Sequence, residues 1–131
     1  MPYLIDTNWV IPHLVGDPKA TELLMALAAD GIAISVITYL EAFQGTLREP
    51  DPTLAQKRLT IFLEATPLLL VTPEVARRCA QVRETLRLQN KRVRPRALDL
   101  LIAATALAYN LILVTQNAQD YDDIPGLFLY P

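Results

Sequence analysis

Four side chains scattered along 131 residues are of the kinds that hold a hard metal ion and direct water: Asp6, Glu41, Asp99 and Asn117. Asp99 is the most conspicuous, because it is the only formally charged residue between Arg96 and Asp120. It sits at the head of Ala97–Tyr109, a stretch rich in helix formers and apolar on every side, as expected of a helix enclosed by the protein. An ionised carboxylate there costs several kcal/mol to desolvate unless a cation or a set of donors compensates it. No Lys or Arg follows at helical spacing, and Arg96 is the only candidate just before. A metal ion is one answer. The other is that Asp99 caps its own helix, although Ala97 and Leu98 already look helical.

Asp6 closes the short apolar run Tyr3-Leu4-Ile5 and is followed by the small polar residues Thr7 and Asn8. Glu41 lies one or two turns into the helical stretch after Ile32–Ser35, and Asn117 follows the apolar run ending at Val114. The ends of parallel strands share one edge of a sheet, so these groups can meet there. Each has an ordinary alternative: Asp6 as a strand-end turn former, and Thr38-x-x-Glu41 as a capping box. The only histidine, His13, reads as packed or solvated, and no serine or histidine completes a nucleophilic triad. Oxygen donors without His or Cys point to Mg²⁺ or Mn²⁺. Such an ion relieves the repulsion among the acids, polarises a phosphoryl oxygen and makes water a better nucleophile. Asp120, Asp122 and Asp123 read as a solvated acidic turn, with Asp120 near enough to Asn117 to reach a metal-bound water.

The elements that must position these groups alternate. Strands are expected at residues 3–5, 32–35, 68–71, 111–114 and, briefly, 128–130. Helices are expected at about 10–15 (kept short by Pro12), 19–29, 36–45, 53–65, 73–90 and 97–109. Alternating strands and helices imply an α/β fold with a parallel sheet covered on both faces. The length suits one domain, and no repeat or low-complexity tract appears. Apolar residues make up 52% and charged residues 20%, which excludes a disordered chain. A net charge of −2 gives no global pull toward nucleic acid, so any such contact needs a local patch. The single cysteine, Cys79, excludes an internal disulfide framework and reads as packed and inert. The opening residues lack the features of a secretion signal and Leu100–Val114 is short for a membrane span, so a soluble cytoplasmic protein is expected.

Four stretches together resemble the PIN-domain ribonucleases, and among them the VapC-type toxins of toxin–antitoxin pairs. They are Tyr3-Leu4-Ile5-Asp6-Thr7-Asn8, the run Ser35 to Gly45, Asp99-Leu100-Leu101-Ile102-Ala103-Ala104-Thr105-Ala106, and Thr115 to Tyr121 leading into Ile124-Pro125-Gly126-Leu127. Each is weak alone; four in the family's order, spanning essentially the whole chain, are strong. The resemblance implies a three-layer α/β/α fold with a five-stranded parallel sheet and a Mg²⁺ or Mn²⁺ site. The family's acids fall on Asp6, Glu41 and Asp99, and its fourth position on Asn117, where many members carry Asp. Thr7 and Thr115 would support the site, and Asp120 would be an outer acid. Gln116 stands where an arginine is common and Tyr121 where a phenylalanine is common; neither is expected to touch the ligands.

Mechanistically, Asp6 and Asp99 are expected to hold the ion, Glu41 to ligate it or take a proton from the attacking water, and Asn117 to orient that water or a phosphate. The basic loop carrying Lys91, Arg92, Arg94 and Arg96 is the best local footprint for RNA, with a merely solvated loop as its alternative. The resemblance further implies a homodimer and a small cognate antitoxin protein that covers the acidic pocket. The rival from another class is a non-catalytic PIN-like module binding protein or RNA, which loss of the acids would mark. A phospho-acceptor receiver domain fails on sequence, because Thr7-Asn8 follows Asp6 and no lysine follows Lys91.

Overall fold

The computed structural model describes residues 2–131. Its strands are β1 (Tyr3–Ile5), β2 (Ile32–Ser35), β3 (Leu68–Leu69) and β4 (Ile112–Val114), all parallel, in the order β3-β2-β1-β4. Between them run α1 (Thr7–Leu14), α2 (Pro18–Ala28), α3 (Val36–Thr46), α4 (Pro52–Ala65), α5 (Pro73–Leu88) and α6 (Ala97–Tyr109). Alternation along the strands sorts the core into two layers, because successive side chains point to opposite faces. Leu4, Ala33 and Leu113 pack with α5 and α6, while Ile5, Ile32, Ile34 and Val114 pack with α1, α2 and α4. The arrangement is the expected α/β/α sandwich. On its α5–α6 side Val75, Cys79, Val82 and Leu86 form the buried stripe of α5, and Leu100, Ile102, Ala103, Ala104 and Ala106 are fully enclosed.

Most helices start where a short polar side chain takes up a free N–H group, which is why the strand-to-helix transitions are tight. Asp17 accepts from Ala20, Ser35 from Thr38, Asp51 from Leu54 and Thr72 from Val75. Proline follows the cap in α2, α4 and α5, where its missing N–H costs nothing. Asn110 ends α6 in the left-handed region (φ 55°), and the Leu111 N–H then reaches back to the Ala106 carbonyl at 2.8 Å. That leaves β4 to begin at Ile112 rather than Leu111.

The sheet has four strands, not five. Residues 128–130 make one parallel rung, in which the Leu113 N–H donates to the Phe128 carbonyl and the Tyr130 N–H to the Leu113 carbonyl. Phe128 faces solvent (74% exposed), while Leu129 and Tyr130 pack against the two core layers, so the segment is held by packing and this single rung rather than by a ladder. β3 likewise stops at Leu69, with Leu70 and Val71 exposed as the chain turns toward Pro73. α1 begins earlier than expected, at Thr7, and carries Pro12 inside it.

Ser35 is fully buried and its hydroxyl is the cap of α3. Ser35→Ala is expected to cost about 1–2 kcal/mol, read as a lower urea midpoint at unchanged m-value.

Candidate active site

The chain leaves β1 toward β2 and β3, then returns on the other side of β1 to place β4. That reversal opens a crevice beyond the carboxyl ends of β1 and β4, the place where open α/β sheets take their ligands. An open cavity of about 410 Å³ lies there, lined by Asp6, Glu41, Asp99, Asn117 and Asp120 together with Thr7, Asn8 and Tyr121. Residues that the topology separates by more than a hundred positions thus share one wall, and none of the described residues lining it is basic.

Asp6 is its most buried acid, at 5% exposure. The Asp6 N–H continues the ladder to the Val114 carbonyl at 2.9 Å, which fixes the residue against the end of β4. Its Oδ1 accepts from the Thr7 N–H at 2.8 Å, and its Oδ2 from the Thr115 hydroxyl at 2.7 Å and the Tyr121 hydroxyl at 3.3 Å. Thr115 is in turn held by the Asn8 amide and by the Asn117 N–H, both at 3.1 Å. Pro12 explains a further tie. It has no N–H for the carbonyl of Asn8 one helical turn earlier, and the Gln116 side chain donates to that carbonyl instead, at 2.6 Å. Gln116 therefore locks the end of β4 to α1 and, as expected, does not touch the acids.

Glu41 is not part of a capping box. The cap of α3 is Ser35, so Thr38 is the third helical residue and Glu41 lies almost a turn further on. Its Oε1 accepts from the Thr7 hydroxyl at 2.6 Å. Asp99 is not a cap either: α6 begins at Ala97, Arg96 precedes it without a side-chain cap bond, and Asp99 is the third residue. Tyr121 corrects another expectation. Its ring is buried, and its hydroxyl donates to Asp6 and by hydrogen bonding also draws the Asp99 pKa down.

The electrostatics follow from this enclosure. Burial raises the Asp6 pKa above the usual carboxylate value, against the pull of Thr115 and Thr7, and the charge of Asp99 raises it further. Asp99 is raised by burial and by Asp120, opposed by Tyr121 and Arg96. Burial and then the two aspartate charges push the Tyr121 phenol upward, so it stays a donor. Outside the cavity, Arg96 clamps Asp123 with two hydrogen bonds of 2.9 and 2.8 Å and holds the Asp120 carbonyl at 2.9 Å. Lys91 joins at 3.0 Å, and together they hold the Asp123 carboxyl down at about 2. Two of the four basic loop residues are thus engaged with the acidic turn, whereas Arg92 and Arg94 are exposed. His13 packs elsewhere, 2.9 Å from the Thr21 hydroxyl and tilted against Phe62, and Cys79 is buried in the α5 stripe.

The donor set suits a hard divalent cation in kind: carboxylates, an amide and hydroxyls, with repulsion between Asp6 and Asp99 that a cation would relieve. Among the described residues, however, no three acidic, histidine or cysteine side chains converge closely enough to grip one. Glu41 is turned to Thr7 instead.

Fold and crevice define an α/β protein with an acidic site at the sheet's switch point. A family model for the PIN domain matches residues 3–127. The chain belongs to the PIN-domain family. It is 34% identical over 126 residues to Ribonuclease VapC19 of Mycobacterium tuberculosis, covering 95% of each chain. It is similar to a chain in the crystal structure of VapBC2 from Rickettsia felis bound to a DNA fragment from their promoter, with TM-score 0.87, 29% identity, and 99% and 98% of the two chains covered. A toxin–antitoxin complex from Klebsiella pneumoniae gives TM-score 0.74 at 27% identity, covering 95% and 94%.

The raised Asp99 pKa carries a sign. The folded chain holds the Asp99 proton more tightly than the unfolded one, so stability is lost as pH rises through the folded pKa and stays lost at neutral pH. In chelator, Asp99→Asn is therefore expected to melt higher than wild type at pH 7 by a few degrees, on the order of 0.5–1 kcal/mol. The gap should close as the pH falls toward 4, which thermal melts across that range will test.

Proposed function

We propose that this chain is a metal-dependent endoribonuclease, hydrolysing RNA phosphodiester bonds as the toxin of a toxin–antitoxin pair. The observation that carries it is the shared cavity: Asp6, Glu41, Asp99 and Asn117 line one crevice at the sheet edge, with no basic side chain among the described lining residues. The ribonuclease and VapBC relatives supply the substrate class and the partner, a cognate antitoxin protein. Homodimerisation is part of the same proposal. Among the described residues no helix is long and apolar enough to cross a membrane.

Asp6 and Asp99 would hold Mg²⁺ or Mn²⁺, with Glu41 as a third ligand or as the base. When bound, the ion supplies charge to a phosphoryl oxygen and makes water a stronger nucleophile. Glu41 takes the proton of the attacking water at a carboxylate oxygen, exchanging its Thr7 hydrogen bond for it. Asn117, exposed at the rim, donates its side-chain amide to that water or to a phosphate. Thr115 keeps Asp6 aimed, Thr7 holds Glu41 until the proton moves, and Asp120 adds negative charge at the outer wall. Lys91, Arg92, Arg94 and Arg96 form the proposed RNA footprint. Arg92 and Arg94 are the two that remain exposed, since Lys91 and Arg96 are paired with Asp123.

Purified chain incubated with defined RNAs is expected to cut them with Mg²⁺ or Mn²⁺ and to stop in chelator. The double variant Asp6→Asn, Asp99→Asn should fold, by circular dichroism, yet leave RNA intact. Glu41→Gln should lower the rate by about 10²–10⁴-fold; cutting by the double variant at the wild-type rate would refute the assignment. For the loop, neutralising Arg92 and Arg94 should flatten the slope of log affinity against log salt by roughly 1.4, at about 0.7 per single-strand phosphate contact. An unchanged slope removes the loop from the RNA path.

A further inference from the structure

The carboxylate of Asp6 has about four acceptor positions, two on each oxygen. On Oδ2 one is filled by the Thr115 hydroxyl at 2.7 Å, and the other faces the Tyr121 hydroxyl at 3.3 Å, a single donor that is also drawn toward Asp99. Oδ1 takes a single donor among the described residues, the Thr7 N–H at 2.8 Å, and so has a position open. Tyr121 is placed to keep this up. Its ring is buried at 2% exposure, and the turn that carries it is pinned from outside by Arg96 on Asp123 and on the Asp120 carbonyl. A phenylalanine would fill the same volume and leave Oδ2 half open.

We propose that the Tyr121 hydroxyl is a positioning group that closes Oδ2 of Asp6, so that Asp6 meets a divalent cation through Oδ1 alone and the site favours a small octahedral ion over a larger one. This rests on the reading of the cavity as a metal site. Mg²⁺ takes single carboxylate oxygens in near-ideal octahedral geometry, whereas Ca²⁺ gathers six to eight oxygens and readily uses both of one carboxylate. A carboxylate with two donors aimed at one oxygen serves the first habit and obstructs the second. Tyr121 acts through Asp6 and needs no contact with RNA.

The test is Mg²⁺ and Ca²⁺ binding to wild type and Tyr121→Phe by titration calorimetry, without RNA. The ratio of the Ca²⁺ Kd to the Mg²⁺ Kd is expected to fall about 10-fold in the variant, with Mg²⁺ weakened and Ca²⁺ held or tightened. Should circular dichroism show that Tyr121→Phe does not fold, Asp123→Asn loosens the same turn without touching the cavity, and a smaller fall of the ratio is expected. An unchanged ratio, or equal weakening of both ions, overturns the role of Tyr121 and leaves the metal site standing. Absence of any divalent binding to wild type overturns both.

Discussion

A carboxylate buried where a strand ends has to be answered, and among the described residues Asp6 is answered by hydrogen-bond donors rather than by a basic side chain. A backbone N–H and the hydroxyls of Thr115 and Tyr121 surround it, while Asp99 and Asp120 add charge of the same sign nearby. Fold geometry softens this. Asp6 caps α1 and Asp99 is the third residue of α6, so each stands at the positive end of a helix, where a negative charge gains a few tenths to about 1 kcal/mol. The offset is partial, since both groups keep raised pKa values. A site of this kind gives up stability of the fold, as functional sites commonly do.

Two ties outside the acids make that arrangement rigid. One runs from Pro12 through the orphaned Asn8 carbonyl to Gln116, and closes α1 onto the end of β4. The other is the Arg96–Asp123 clamp, which fixes the turn bearing Asn117, Asp120 and Tyr121 against the start of α6. Each converts a loop, ordinarily the most mobile part of such a crevice, into a wall with a defined position. Arg96 at the head of a helix opposes the dipole there, and Asp123 compensates it.

Much of this could be read from residue order, because the cues are local. Caps such as Thr72 and Asp51, prolines after them and the alternation in Ile32–Ser35 each act within a few positions. The acid set was legible for a similar reason: Asp6 ends a strand, Asp99 lies in the first turn of a helix and Glu41 one turn further into another, all near the same sheet edge. What failed depended on distant partners or on where an element begins. Thr38 and Glu41 have capping-box spacing, but the strand runs to Ser35 and its hydroxyl reaches the helix first. The basic loop looks free until Asp123, 32 residues on from Lys91, comes to lie beside it. Tyr121 looks like a conservative change from phenylalanine until the turn folds its hydroxyl onto Asp6, 115 residues away in sequence. The fifth strand failed because residues 128–130 make a single rung to Leu113, with Leu129 and Tyr130 anchored by packing rather than by a ladder.

The acids differ in how firmly they are held, and that difference bears on how a site that does not yet grip an ion could come to do so. Asp6 has three donors, one of them backbone, and a ladder bond through its own N–H. Glu41 has side-chain hydrogen bonding from one group, the Thr7 hydroxyl, on a long side chain at the half-buried rim. Like charges separate as far as their tethers allow, and the acid with the loosest tether moves furthest. Glu41 is the member whose position would change most when positive charge enters, and it is also the member assigned to receive a proton.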